Sequence, residues 1–412
     1  MQVIFTNACV IDGISPTGRK NTAVIVDDAT ISWVGPMEQT GLADKSQSKV
    51  IDLAGKTLMP GLMDVHVHIC QGTTPNPIAE YTETVPFQAI QGVTNASAFL
   101  NAGFTTVRSL GAFGYPDISV KEAVNQGLVP GPRILASGEM VMAHGSGEQG
   151  FMRPEVSFPK SGRFTGIEGA RHAVRTQIYN GADVIKLIAS GRVGSNAYTL
   201  PWDTEMTRDE MVAVCDEAHR FGRKVAAHAY SPDAVTDCTI AGVDSIEHGV
   251  MIDETTIELM AKNGTALVPT MTAFHNYLQP GAEERFPAYR LARGRPMAEI
   301  QQKNFSKYLE YGLTIATGSD GPRPGSHPGT TGLEMQLMVE AGMTTFQAVQ
   351  ATTSTASKVL GLKDKVGTIE VGKLADLIVV DGDPLADISI LQNKEHIQLV
   401  MKNGSIVRSG LD

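Results

Sequence analysis

The sequence predicts an α/β protein: a (β/α)8 TIM-type barrel with a small β-sandwich domain formed by both chain termini. Three observations carry this expectation. The middle of the chain alternates eight short apolar runs with helical segments, the pattern of parallel βα units. Both ends are instead rich in short β-branched runs broken by Asp-Gly and Asn-Gly, which are strand-and-turn signals. No Gly-x-Gly-x-x-Gly follows the first barrel strand to favour an open doubly wound sheet.

In chain order, VIFTNACVI, TAVIVDDATISWVG and KVIDLAGKTLMPG supply N-terminal strands, and ADLIVVDGD and IQLVMKNGSIV supply C-terminal ones. Residues 1–58 and 365–412 are therefore expected to form the small β domain around an inserted barrel, 59–364. Barrel strands are expected at 61–68, 105–110, 133–138, 183–190, 224–229, 244–248, 266–271 and 314–320. Several intervening helices are well signed. Thr207 opens a T-x-x-E capping box with Glu210, and the helix through Met211, Val214, Ala218 and Phe221 stops at Gly222. Ser231-Pro232 gives an N-cap and a first-turn proline to a short helix closing at Gly242. In such a barrel the functional groups gather at the C-terminal strand ends.

A chain of 412 residues suits one large barrel plus a modest second unit. Its 42% hydrophobic and 19% charged content is ordinary for a globular protein. A net charge of −10 and a pI near 5.5 predict no basic surface for nucleic acid or anionic lipid. No apolar run approaches the roughly 20 residues of a membrane span. The start, MQVIFTNACVIDG, reads as strand and turn rather than as a signal peptide, so the cytoplasm is expected; a secreted chain trimmed of its leader would read the same way. Cys9, Cys70, Cys215 and Cys238 are scattered without CxxC spacing, suggesting neither a thiolate zinc site nor a disulfide framework.

The chemistry-bearing residues fall at the expected strand ends. His66 and His68, two apart on the first strand, point to the same face and can hold one ion. Such a pair is weak evidence alone, but later strands add His228, His248 and Asp320, ligands suited to zinc and related divalent ions. A bland alternative, buried polar groups satisfying core hydrogen bonds, must explain why all of them gather at one end of the strands. Lys186 is the one charged side chain in VIKLIAS. Burial would lower its pKa and make the neutral amine accessible. That amine can react with carbon dioxide to give an anionic carbamate whose two oxygens can bridge two metals. A snorkelling or salt-bridged lysine is the alternative, and spacing does not choose between them.

In this order the set resembles the amidohydrolase superfamily: HxH on strand one, Lys on strand four, His on strands five and six, Asp on strand eight. The segments GLMDVHVH, SIEHG, TGSDG and VGTIEVGKLADLIVVDGDP are similar to its recurring ones, and the resemblance spans essentially the whole chain. It is nearest the imidazolonepropionase-like and prolidase-like branch that cleaves dipeptides and N-acyl amino acids, a neighbourhood that includes ochratoxin-degrading amidohydrolases. The resemblance implies two Zn2+, with manganese, cobalt or iron as other candidates. It places His66, His68 and Asp320 on one ion, His228 and His248 on the other, and carboxylated Lys186 between them. Asp320 would also shuttle the proton. Deaminase relatives carry a glutamate three residues after the strand-five histidine; Ser231 stands there and, with Lys186 on strand four, argues against deamination. Relatives are often homo-oligomers, commonly octamers.

For substrate contacts, His144 in AHGSGEQG and Tyr230 are expected to meet the scissile carbonyl or a substrate carboxylate, as residues at these positions do in this branch. Each has a purely structural alternative, a loop-stabilising histidine and a capping tyrosine. Arg192 could bind a substrate carboxylate, narrow the pocket or face solvent, and His327 could support the strand-eight loop. Strand-end loops at 70–95, 139–165 and 271–298 would shape the pocket, and Phe87, Phe151, Met152, Phe274 and Tyr277 hint at a hydrophobic substrate side chain. The expected activity is zinc-dependent hydrolysis of the amide bond of a dipeptide or N-acyl amino acid bearing a free carboxylate, ochratoxin-type amides included. Hydrolysis of cyclic amides or lactones is the alternative, and a catalytically silent barrel scaffold is the non-enzyme one.

Overall fold

The N-terminal residues form β1 (Gln2–Val10), β2 (Arg19–Asp27), β3 (Thr30–Pro36), β4 (Lys49–Asp52) and β5 (Thr57–Pro60). The computed structural model describes all residues except 1, 37, 39–47, 75–81, 147–160, 196–198, 330 and 412. Along β1 and β2 the apolar side chains Val3, Phe5, Ala8, Val10, Val24 and Val26 join one apolar cluster, which also takes in Leu377, Val379, Leu399 and Met401 from the far end of the chain.

Next come β6 (Leu62–Val67), β7 (Phe104–Ser109) and β8 (Arg133–Ala136), a parallel three-stranded arc. After the two-residue pair β9 (Met142–Ala143) and β10 (Arg163–Phe164), a second parallel arc follows. Its strands are β11 (Val184–Ile188), β12 (Lys224–Ala229), β13 (Ser245–His248) and β14 (Ala266–Val268). Apart from β8, where Arg133 and Leu135 are half-buried, the strands of both arcs are buried along nearly their whole length, as parallel strands covered by helices must be. Seven of the eight expected barrel strands are thus present as ladders. The eighth, 314–320, is held by isolated bridges, Ile315 to Leu267 and Gly321 to Val67, rather than by a ladder. The arcs are therefore not one closed sheet. Along this segment Val65 N–H donates to Thr317 O (2.9 Å) and Asp320 N–H to His66 O (2.8 Å), which seats Asp320 beside the first strand.

The C-terminal strands β15 (Leu377–Val380), β16 (Ile397–Lys402) and β17 (Ser405–Ser409) return to the first ones. Antiparallel pairing of β15 with β5 joins both termini in one eight-stranded sheet, ordered β17-β16-β15-β5-β1-β2-β3 with β4 also on β1. The ladder is one sheet, where a two-sheet sandwich was expected, because β5 pairs with β1 on one side and β15 on the other.

The signed helices form where the caps place them. Thr207 and Glu210 make both bonds of the capping box at the start of Arg208–Arg220. Ser231 caps Pro232–Ala241, and Gly242 ends that helix at φ 92, a left-handed conformation that suits glycine. The stretch 271–298, expected as loop, is largely helical, with Met271–Leu278, Ala282–Arg285 and the start of Ala288–Glu310. Buried Glu334 holds the first of these by accepting the Met271 and Thr272 N–H groups (2.7 and 2.6 Å). Among the described residues, no helix is long and apolar enough to cross a membrane.

Candidate active site

The ends of β6, β11, β12 and β13, with the segment 314–320, open into a cleft of about 480 Å³. His66, His68, Lys186, His228, His248 and Asp320 all line it, together with Tyr230 and Arg192. Strand geometry explains part of this arrangement. On β6 the alternation that buries Met63 and Val65 in the apolar core turns Asp64 and His66 the other way. Asp64 then acts as a brace, accepting from the N–H of His66 and from the N–H and hydroxyl of Ser319 (3.1, 3.1 and 2.6 Å). Burial pushes its carboxyl up to about 6 despite these bonds.

Alternation alone does not place His248. On β13, Ser245 and Glu247 face inward, so the next residue should face out. The backbone instead adopts φ 77 at His248 and brings its ring within 4.7 Å of the His228 ring and 5.1 Å of the His66 ring. Thr270 (φ 51) and Asp320 (φ 56) occupy the same left-handed region. Non-glycine residues there are uncommon and concentrate where function requires a particular side chain.

Each histidine commits one ring nitrogen to a neighbour. His66 Nδ1 lies 2.8 Å from Glu247 Oε2, His68 Nδ1 3.3 Å from Gly111 O, His228 Nε2 3.0 Å from Gly191 O, and His248 Nδ1 2.6 Å from Thr270 Oγ1. At His66 and His228 the partner is a carboxylate or carbonyl oxygen, which can only accept, so the other nitrogen of a neutral ring keeps its lone pair, as a metal ligand requires. Burial, reinforced by the charge of Lys186, lowers His66 to about 4. Burial also holds His228 and His248 well below the usual histidine range, so all three are neutral near pH 7. The donor atoms of His66, His68 and Asp320 lie within 4.8 Å of one another, and Asp320 Oδ1 is 3.0 Å from His68 Nε2 and 3.4 Å from His66 Nε2. Two imidazoles converging on a carboxylate fit a divalent cation.

Lys186 is 2% exposed, and burial lowers its ammonium group to about 8, so a neutral amine is accessible at mildly alkaline pH. Burial disfavours ionised Asp320, but Arg323, His66 and His68 outweigh it and hold the carboxyl well below the ordinary range. Arg323 reaches Asp320 Oδ2 at 2.5 Å.

Behind these histidines lies a buried charge pair. Arg108, on β7, donates to Glu247 Oε1 at 2.8 Å, and Ser245 Oγ donates to the same oxygen at 2.6 Å. Burial opposes ionisation of Glu247, but Arg108 and His66 more than offset it and hold the carboxyl down at about 2. The sequence reading passed over Arg108, Glu247 and Arg323. A second charged residue inside the SIEH strand was the available signal for Glu247.

Of the substrate residues, Tyr230 is buried at the cleft, its ring 4.5 Å from that of His228, and burial keeps its phenol protonated and able to donate. Two expected residues are not brought into this cleft. His144 is exposed, because its backbone N–H is tied to Phe164 O (2.7 Å) beside the β9–β10 pair. His327 is also exposed and does not line the cleft. Tyr277 and Phe286 form an aromatic wall of the cleft, with ring centroids 4.8 Å apart. Phe274 is buried behind Tyr230, Phe87 is exposed, and Phe151 and Met152 lie outside the described residues.

Several known proteins are similar to this chain over nearly its whole length. An ochratoxinase from Aspergillus niger is 30% identical over 412 residues, spanning 94% of this chain and 83% of its own length. The crystal structure of a Xaa-Pro dipeptidase with methionine bound in the active site gives a TM-score of 0.91 at 32% identity, covering 99% of this chain and 100% of that one. A prolidase complexed with N-methylphosphonate-L-proline gives 0.89 at 30% identity, with 99% and 100% covered. Residues 57–407 match the amidohydrolase family model, so the chain belongs to the amidohydrolase family and is a hydrolase acting on C–N bonds.

Proposed function

We propose that this protein is a binuclear zinc amidohydrolase that cleaves the amide bond of dipeptides or N-acyl amino acids carrying a free carboxylate. The observation that carries the reading is the convergence of His66, His68, Lys186, His228, His248 and Asp320 on one cleft, with each histidine anchored to a neighbour through one ring nitrogen. The names of its relatives, an ochratoxinase and a Xaa-Pro dipeptidase, support amide substrates. His66, His68 and Asp320 would hold one ion, His228 and His248 the other, and carboxylated Lys186 would lie between them. When bound, the ions would supply Lewis-acid polarisation of the scissile carbonyl and lower the pKa of a water molecule.

The remaining work falls to the protein's own side chains. Asp320, ionised in the cleft, accepts the proton of the attacking water and returns it to the leaving nitrogen, since an amide cannot expel an unprotonated amine anion. Tyr230, held protonated by burial, donates to the carbonyl oxygen or to the substrate carboxylate, and Arg192 offers a cation to the same end of the substrate. The wall of Tyr277 and Phe286 excludes water from one side of the bound chain.

Metal content per chain, measured beside a screen of dipeptides and N-acyl amino acids and their C-terminal amides, tests the reading. Two zinc equivalents with cleavage confined to free carboxylates are expected. Absence of bound metal, or equal cleavage of the amides, would refute it.

A further inference from the structure

The cleft wall above the ligands carries four arginines, and they differ in what already occupies them. Arg323 is neutralised by Asp320 at 2.5 Å. Arg285 donates to the carbonyls of Pro280 and Asn276 (3.2 and 3.5 Å). Arg192 stands on the loop following β11 and is already assigned, with Tyr230, to a substrate carboxylate. Arg290, on the first turn of the helix Ala288–Glu310, makes no ion pair or side-chain hydrogen bond among the described residues; its buried Nε is unpartnered, as are those of Arg192 and Arg285.

The Arg290 guanidinium is nonetheless held in place. It rests on Gly194, where an added Cβ would lie 2.5 Å from Nη2 and 2.9 Å from Nε. The loop bearing Gly194 and Arg192 is pinned to the same helix by Arg293, whose Nη1 donates to Ser195 O at 2.9 Å. The acids Glu283 and Glu284 line the same cleft, but Glu283 is paired with Arg295, Glu284 is exposed, and neither forms an ion pair with Arg290 among the described residues. The Nε faces the protein, whereas the Nη groups, which have no side-chain partner and are not sealed off, are the donors a ligand in the cleft can reach. Planar carboxylates are the natural complement of a guanidinium. A substrate with only an α-carboxylate, once held by Tyr230 and Arg192, leaves Arg290 unpaired.

We infer that Arg290 is a specificity-determining residue that pairs with a side-chain carboxylate, so that the cleft selects N-acyl or N-aminoacyl derivatives of dicarboxylic amino acids such as glutamate and aspartate. This rests on the amide-hydrolase reading above and adds to it the chemical class of the leaving amino acid. The methylenes of such a side chain would lie along Tyr277 and Phe286, which line the same cleft.

The test compares kcat/KM of the zinc-loaded full chain for N-acetyl-L-glutamate and for its neutral isostere N-acetyl-L-glutamine. Calorimetric binding of the products, L-glutamate and L-glutamine, runs in parallel. A charge-assisted hydrogen-bond pair predicts a preference for the acid of about tenfold to a hundredfold in both readouts. Arg290→Met should collapse that ratio toward one. Gly194→Ala, which displaces the guanidinium without removing it, should reduce the ratio partway, and thermal unfolding shows that each variant is folded. A wild-type ratio near one overturns the proposal. So does a ratio retained in Arg290→Met, which is the result expected if Arg290 reads only the α-carboxylate common to both substrates. If neither N-acyl amino acids nor dipeptides are cleaved, the amide-hydrolase reading fails, while the binding ratio still decides the role of Arg290.

Discussion

Glu247→Gln is the perturbation that most directly probes how the metal site is held. The carboxylate is fully buried and faces three donors, Arg108 Nη2 at 2.8 Å, Ser245 Oγ at 2.6 Å and His66 Nδ1 at 2.8 Å. Glutamine keeps one acceptor oxygen and replaces the other with an NH2. If its oxygen serves Arg108 and Ser245, the NH2 faces His66 Nδ1, which must then become the acceptor. The ring proton moves to Nε2, the atom beside Asp320 that the metal needs. Loss of such an orienting partner typically lowers metal affinity by about 10- to 100-fold. Arg108 also loses its buried counter-charge, at a cost of about 3–5 kcal/mol in unfolding free energy. The stability difference between wild type and variant carries its own pH signature. Glu247 titrates at about 2 in the folded chain against an ordinary 4.5, so its contribution is present above pH 4.5 and is lost as pH falls toward 2. Urea unfolding at pH 7 and at about pH 3, with a chelator competition at pH 7, provides the assay. Unchanged metal retention together with an unchanged unfolding midpoint at pH 7 would refute the reasoning.

Two further outcomes are expected. Asp320→Asn should leave the chain folded while lowering kcat by about 10²- to 10⁴-fold, the range of a lost acid–base group; near-normal kcat would remove Asp320 from proton transfer. Lys186→Ala should lose metal and activity together, with partial rescue by short carboxylic acids that stand in for the carbamate. Full metal content in that variant, measured by elemental analysis, would show that Lys186 does not bridge.

Much of the ligand constellation was legible because period-two alternation and strand-end position determine where such residues go. His66, His68, Lys186 and His228 follow from those two rules. His248 also lines the cleft, but the reason it reaches it, a left-handed backbone at the end of β13, is invisible to a pattern of alternation. Side chains on loops were poorly legible. His144 and His327 were placed by their nearness in sequence to strand ends, yet local hydrogen bonding and exposure keep them out of the cleft. Arg290 lies inside the stretch 271–298 expected to shape the pocket, but was not singled out, because that stretch was read as loop and the helix Ala288–Glu310 that carries Arg290 to the cleft was not anticipated. The buried pair Arg108–Glu247 was missed because a charge inside an apolar strand has meaning only through its partner on another strand.

The left-handed residues around the site have a consequence for any effort to improve this protein. His248, Thr270 and Asp320 each hold a conformation costing on the order of 1–3 kcal/mol, and glycine would adopt it freely. A laboratory selection for thermal tolerance alone would therefore tend to reward glycine at these three positions. Two of the replacements would delete a proposed ligand, and the third would remove the hydroxyl that orients the His248 ring. Variants enriched by heat challenge should accordingly be screened for metal uptake first, because here the sturdier backbone and the inert enzyme are the same molecule.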